Sequence, residues 1–301
     1  MRVNPLYINN LVGSLDSTSM SEQQLTEELA SGSRVNQLSD DPVAAGENVL
    51  LSAGISRDDT FSQTASSTQS MLQVTDSVLS TVVSQLTSAS SLAIEANNGT
   101  LNSNDLQSIS NQLSGIRDEV LSLANTTYLG QYVFAGSQGN TRPFTLDTTT
   151  SPATVTYNGD DTANSVSYLM TPNGQKIQLN IPGDQIFSTA GSDVLGTLNA
   201  LIADFSTGVA SPTAQADAQS LSTALGHVTQ QRVLLDNSLS RLTSSENYAQ
   251  SEATQLTLSQ TNLLQAVVGQ VATQLSTAET QQAALSQVIA TLGKQSLFND
   301  L

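Results

Sequence analysis

Two registers of apolar residues, each stepping alternately by four and three, fill the last third of the chain. The first holds Leu221, Leu225, Val228, Leu235, Leu239, Leu242, Ala249, Ala253, Leu256, Leu263 and Val267, and only Arg232, Glu246 and Gln260 interrupt it. The second, one residue on, holds Leu264, Val268, Val271, Leu275, Ala278, Leu285, Ile289 and Leu292. Such spacing puts every member on one face of an α-helix. Ser211-Pro212 supplies a cap and a first-turn proline, and no further proline and only two glycines precede Gly293. The pattern predicts one amphipathic helix, on the order of 120 Å long if unbroken at ~1.5 Å per residue. A straight helix drifts about 20° per strict heptad, so the one-residue jump between registers suits a nearly straight bundle helix better than a tight supercoil. That helix needs a long partner.

Near the start, Ile8, Leu11, Leu15, Leu25 and Leu29 keep the same step, with Thr18 and Glu22 in the missing turns. This predicts a helix ending around Ala30 to Gly32 whose narrow stripe is marginal alone. The C-terminal helix is its natural partner. Asp41 can cap a helix with Pro42 at its first position, running to about Asn97 through Leu72, Leu79, Val82, Leu86, Ala89 and Ala93. After the Asn97-Asn98-Gly99 turn, Ser103 or Asn104 is expected to cap a third helix carrying Leu106, Ile109, Leu113, Ile116, Val120 and Leu123.

From Tyr128 the register changes, and seven of the twelve aromatic residues lie between there and Phe187. Short runs at Tyr132–Phe134, Thr154–Tyr157, Val166–Met170 and Lys176–Ile181 read as strands, separated by turns such as Thr171-Pro172-Asn173-Gly174. A helix over Asp193–Phe205 leads back. The expected fold is mainly α with a β-rich insert, a long antiparallel helical bundle built from both chain ends plus a small β domain. Its parts are residues 1–127 (N-terminal bundle helices and axial coiled-coil segment), 128–190 (inserted outer domain) and 191–301 (C-terminal helices completing both).

Composition excludes more than it selects. With 38% apolar, 4% aromatic and 12% charged residues, the chain suits thin helical layers with narrow seams rather than a thick core. A net charge of −17, with nine scattered Lys and Arg, argues against nucleic acid. The absence of cysteine rules out disulfides, thiolate metal sites and a Cys nucleophile. Met1–Leu15 holds no apolar run long enough for a secretory signal, and no membrane-spanning segment is expected. The one histidine, His227, lies beside Val228 and reads as a helix-surface residue. It has no partners for a zinc site or a catalytic triad. Asp58-Asp59 and Asp160-Asp161 read as solvated acid pairs, and the insert has neither His nor Glu between Tyr128 and Phe187. No catalyst, cofactor or metal is expected.

Three stretches carry a family resemblance. Leu29-Ala30-Ser31-Gly32-Ser33-Arg34-Val35-Asn36, followed by Asp40-Asp41-Pro42-Val43-Ala44-Ala45, resembles a loop motif of the bacterial flagellin superfamily, and more narrowly of its hook–filament junction family. Gly130-Gln131-Tyr132-Val133-Phe134-Ala135-Gly136-Ser137 is similar to that family's entry into a variable domain, and Gln295-Ser296-Leu297-Phe298-Asn299-Asp300-Leu301 to its tail. Flagellins proper usually lack the proline after the acid pair. The resemblance implies a secreted, extracellular flagellar component, exported by the type III apparatus without a cleaved signal peptide. It would assemble as a ring homo-oligomer at the hook–filament junction, between hook-associated protein 1 and flagellin. A cytoplasmic export chaperone would bind its C-terminal helix.

Seam position and resemblance together place the assembly interface at Ile8, Leu11, Leu15, Leu25 and Leu29, packing on Leu264, Val268, Val271, Leu275, Leu285, Ile289 and Leu292. The motif loop (Arg34, Val35, Asn36, Asp40, Asp41, Pro42) is expected at a subunit contact, with Arg34 holding the turn beside the acid pair. Alternatives are a flagellin itself, or a helical adhesin or sensor whose insert binds a ligand. An enzyme on the same scaffold would need insert residues that are missing.

Overall fold

A computed structural model of the chain describes residues 5–162 and 165–297, apart from the side chains of residues 5, 6, 8 and 293–297. Seven helices carry most of these residues: α1 (Pro5–Ser31), α2 (Pro42–Ala96), α3 (Ser103–Ala124), α4 (Asp184–Phe187), α5 (Val194–Ser206), α6 (Ala214–Leu264) and α7 (Val268–Leu297). Eight short strands lie between α3 and α5: β1 (Thr127–Tyr128), β2 (Gln131–Tyr132), β3 (Phe144–Asp147), β4 (Thr154–Tyr157), β5 (Tyr168–Met170), β6 (Lys176–Gln178), β7 (Ser188–Thr189) and β8 (Ser192–Asp193). The chain is thus mainly helical with a small β-rich insert, as its periodicities predict. The insert is not one sheet but four antiparallel pairs, β1–β2, β3–β4, β5–β6 and β7–β8.

One prediction fails. The C-terminal helix is not continuous, because α6 stops at Leu264 and α7 begins at Val268. The break falls where the first apolar register hands over to the second, so the one-residue jump marks an interruption and not a correction for drift. A smaller correction concerns α3, which is capped by Asn102 and not by Ser103 or Asn104. Its side chain accepts from the amides of Asn104 and Asp105, and Asp105 accepts in return from the Asn102 amide. This is a capping box with an aspartate in place of the usual glutamate.

The chain divides into two compact units, residues 1–57 with 251–301, and residues 58–250. In the second unit the apolar faces meet in one core. Leu72, Leu79, Val82, Leu86, Ala89 and Ala93 of α2 are fully buried, as are Leu113 and Val120 of α3, Leu198 and Leu201 of α5, and Leu221, Val228 and Leu242 of α6. By length and apolarity alone α2 could cross a membrane, which the sequence reading overlooked. Its apolar stripe instead faces this core.

Polar residues that interrupt the stripes have partners. Arg232, at a seam position of α6, donates through Nε to Asp76 at 2.6 Å. Arg117, beside the α3 series and interrupting no stripe, is buried as well and donates to Asn199 Oδ1 on α5 at 3.1 Å and to Ser114 and Asp118. These bonds offset the desolvation of the guanidinium, and an unpaired one at the same depth would be strongly destabilising.

Three phenylalanines anchor the insert. The Phe134 and Phe144 rings each meet Phe187 edge to face, with centroids 5.4 and 5.5 Å away, and Tyr157 lies 5.1 Å from Phe144. Asn125, just past α3, clamps β3 by donating to the Phe144 carbonyl at 3.1 Å and accepting from its amide at 3.0 Å. Gly183 is required here, since a Cβ would lie 2.7 Å from the Phe144 ring. Burial, then the nearby Asp184 carboxylate, pushes the Tyr157 phenol well above its usual range, and its hydroxyl donates to the Phe134 carbonyl at 3.0 Å.

Two further readings are corrected. Asp58 and Asp160 are buried, and only Asp59 and Asp161 face solvent. Asp160 is a loop anchor that accepts from the Ser137 hydroxyl and the Thr162 amide, which hold its carboxyl below the ordinary range. His227 is half-buried rather than on an open surface, and its Nε2 donates to the Gln185 carbonyl of α4 at 2.7 Å.

Phe144→Ala is expected to lower the unfolding free energy by about 3–5 kcal/mol, the range for truncating a buried aromatic. Denaturant titration followed by tyrosine fluorescence would measure it. A loss below ~1 kcal/mol would mean that the aromatic cluster does not hold the insert.

Candidate assembly interface

The first unit is built on the two chain ends. α1 and α7 pack along one another. The end of α1 hydrogen-bonds beside the start of α7, so the two helices run antiparallel. On α1 the predicted stripe with its polar fillers, Leu11, Leu15, Thr18, Glu22 and Leu25, is half-buried, and so are Ser19 and Glu28. On α7, Val271 and Ala278 are buried and Leu275, Leu285, Ile289 and Leu292 are half-buried.

The remaining residues of the expected interface lie elsewhere. Leu29 is more exposed than its stripe predicts, and Val268 is 56% exposed at the first turn of α7. Leu264 is the last residue of α6, ahead of the break. The Ile8 side chain lies outside the described residues, as do Phe298, Asn299, Asp300 and Leu301 of the tail motif.

The motif loop explains the helix break. The Arg34 amide donates to the Leu264 carbonyl at 2.6 Å, and the Ala266 amide donates to the Gly32 carbonyl at 3.0 Å. Around this bridge the Ser33 hydroxyl donates to Leu264 O at 3.2 Å, and the Arg34 guanidinium donates to Leu263 O at 3.2 Å. The last carbonyls of a helix need partners, and here the α1–α2 loop supplies them in place of another helical turn. Gly32 sits at φ +69°, a conformation that a side chain would strain.

Arg34 also reaches Asp41 at 3.0 Å, and Asp41 Oδ1 accepts from the Ala44 amide at 3.0 Å as the cap of α2. Asp40 accepts from the amides of Asn36 and Gln37. The asparagine returns a bond to Ser33 O at 3.2 Å. Arg34, Asn36, Asp40, Asp41 and Pro42 therefore work within the chain, shaping a loop that caps α6. Val35 contributes its carbonyl, which accepts from Ser33 Oγ at 3.0 Å.

Below the clasp, the start of α2 and the end of α6 meet through contacts that sequence patterns do not single out. Gln260 Nε2 donates to Asn48 Oδ1 at 2.7 Å and to Ser52 Oγ at 2.8 Å. The one available signal was that Gln260 interrupts an apolar register.

The unit offers little chemistry. Among the described residues no group of three or more His, Cys, Asp or Glu could hold a metal ion. A shallow depression of about 370 Å³ on α7, formed by Ala284, Gln287, Val288, Thr291 and Leu292, is an apolar surface feature. Tyr7, Val12 and Met20 of α1 are exposed as well, so among the described residues the helix pair keeps uncovered apolar surface.

Fold and site together define a class: a mainly helical protein with a hairpin insert, whose first and last helices pair and leave apolar surface exposed. Comparison with known proteins names the relatives. Residues 6–139 match the bacterial flagellin N-terminal helical region. Over 140 residues the chain is 31% identical to flagellar hook-associated protein 3 of Salmonella typhimurium, covering 46% of this chain and 44% of that protein. The Escherichia coli protein of the same name is 34% identical over 119 residues, 39% of this chain and 38% of the relative. The matched segments thus span less than half the length of these relatives. The crystal structure of flagellar hook-associated protein 3 from Legionella pneumophila shares the fold, with a TM-score of 0.61 at 16% identity over 71% of this chain and 98% of that one. Residues 6–139 are thus similar to the flagellin N-terminal helical region, and the chain is similar to hook-associated protein 3.

The clasp carries its own prediction. The Ala44 amide and then the Arg34 guanidinium hold the Asp41 carboxyl below its ordinary value. A depressed carboxyl stabilises the fold above its unfolded value of about 3.9, and that contribution is lost as pH falls through the folded value. In an NMR titration, the Ala44 amide shift should have its midpoint below that of an ordinary aspartate, and Arg34→Ala should move it upward. An unmoved midpoint would show that the ion pair does not act on the cap.

Proposed function

We propose that this chain is a non-catalytic structural adaptor of the bacterial flagellum, assembling as a ring at the hook–filament junction and joining hook-associated protein 1 to flagellin. The observation that carries the reading is the half-open seam of α1 and α7. Leu11, Leu15, Leu25, Leu275, Leu285 and Ile289 are only half-buried by one another. A pair of helices with so narrow a stripe gains most of its stability from packing against further helices. The relatives named hook-associated protein 3 indicate the assembly in which such helices would be found.

In this reading the terminal helices of neighbouring copies complete one another's seams, while the motif loop fixes the helix pair to the rest of its unit. The chain reaches the flagellum by export without a cleaved signal peptide, with a cytoplasmic chaperone on the α7 face before assembly. The expected domain roles follow: residues 1–127 and 191–301 supply the bundle and axial segment, and residues 128–190 the outer insert.

Deleting the gene should leave hooks without filaments and release unpolymerised flagellin into the medium. Complementation by a chain carrying Leu275→Asp and Leu285→Asp should give a soluble, exported protein that does not restore filaments. Two carboxylates in the seam would go unpaired on assembly, at a cost of several kcal/mol. Normal filaments on that double variant would defeat the proposal. The flagellin N-terminal match also admits a filament subunit. Loss of the major filament antigen from both cells and medium on deletion would select that alternative.

A further inference from the structure

We propose that the outer face of the β5–β6 hairpin of one copy docks into the groove between α2 and α3 of the next copy. This rests on the ring reading and adds to it a specific contact in the second unit, away from the terminal helices.

The groove has a volume of about 660 Å³. Leu92 of α2 and Ile116 of α3 line it, Ser88 and Gly115 keep its walls low, and Glu95 and Glu119 flank it. Both carboxylates are exposed, and neither has an ion-pair partner among the described residues. Its walls are mixed, with Gln85, Ser91 and Gln112 beside Leu92 and Ile116, and its rim carries two negative charges, so a cation with apolar side chains next to it would suit it.

The hairpin fits that description. In its register Leu169 faces Ile177 across the ladder, and Ile177 is fully buried. The residues on either side of that pair must point the other way. They are Tyr168, 56% exposed, with half-buried Gln178 opposite, and Met170, 58% exposed, with Lys176 opposite. Tyrosine and methionine are enriched where proteins meet, and here both stand exposed on one face of a two-stranded ladder. Lys176 has no ion-pair partner among the described residues, although its carbonyl accepts from Arg241 at 3.2 Å, which ties the hairpin to α6. In a chain of net charge −17, a free lysine beside two exposed apolar side chains complements a groove that pairs two carboxylates with Leu92 and Ile116.

Slot and hairpin are different surfaces, so the contact is heterologous. Such contacts make a closed ring when the rotation per copy closes, and an open helix when it does not. One slot and one hairpin per copy satisfy every copy of a ring.

The chain has no cysteine, so single thiols can be placed at will. Glu119→Cys and Lys176→Cys chains, each full-length, are mixed at high concentration and oxidised with diamide. The control pairs Lys176→Cys with Asp59→Cys, another exposed position on α2. The proposal expects several-fold more covalent heterodimer from the Glu119 and Lys176 pair than from the control. It also expects a Lys176→Glu chain to sediment as smaller species than the unmodified chain, with Glu119→Lys in the same chain restoring its size. Equal heterodimer yields, in a chain that still sediments as oligomers, would overturn this contact and leave the ring reading standing. Equal yields in a chain that stays monomeric at every concentration would count against both.

Discussion

The first unit depends on one exchange of backbone hydrogen bonds. In an unbroken helix the Leu264 carbonyl would accept from the Val268 amide, four residues on. It accepts instead from the Arg34 amide and the Ser33 hydroxyl, while the Gly32 carbonyl takes the Ala266 amide. The loop between α1 and α2 is thereby the C-terminal cap of α6. Everything in the motif serves that contact. Gly32 permits the left-handed turn that ends α1, Arg34 spans from Leu263 O to Asp41, and Asp41 with Pro42 starts α2 on the far side. Because the bonds fall on backbone groups, their geometry is fixed whatever apolar residues line the neighbouring helices.

Most of the fold was legible because 3.6-residue periodicity is a strong signal over long stretches. Helices α1, α2, α3 and α5 begin or end within a few residues of where caps and stripes put them, and the Asp193 cap of α5 accepts from the Gly196 amide as its position suggests. The break at Gln265–Val267 was not legible as a break. No proline or glycine marks it, and Val267 and Val268 continue their registers, yet both are exposed. What stops the helix is a partner more than two hundred residues away in sequence, which local propensity cannot report. The same holds for Asp160, which reads as half of a solvated acid pair until the fold brings Ser137 beside it. The candidate interface was legible only in part. The seam residues of α1 and α7 follow from spacing, whereas the intrachain role of the motif loop needed the fold.

The polar interruptions of the apolar registers carry a consistent physical meaning. Arg232 pairs with Asp76, Gln260 reaches Asn48 and Ser52, and Glu246 accepts from Gln250 on its own helix. Long seams of small and medium apolar residues are permissive about sliding, since one turn of shift exchanges leucine for leucine. The Glu246 bond within α6 fixes no register, whereas a charged or amide group bonded across to another helix, as Arg232 and Gln260 are, is satisfied in one register only. In a chain with few aromatic residues, these groups supply pairing specificity at modest depth, where their desolvation is small.

A seam that is half-buried within one chain has a further consequence. The stripe on α1 is about one residue wide, and its fillers Thr18 and Glu22 are polar. A stripe so narrow cannot cover the apolar residues of α7, which is why Val288 and the depression around it stay open. Widening the stripe would stabilise the isolated helix pair, and would also bury the surface that a neighbouring helix could use. A subunit that is to join others through its ends must leave that area unsatisfied, and keep it small enough that single copies do not aggregate. The sparse seam meets both demands. The clasp, which lies at the inner end of the pair, holds α1 and α7 side by side without adding to the apolar contact between them.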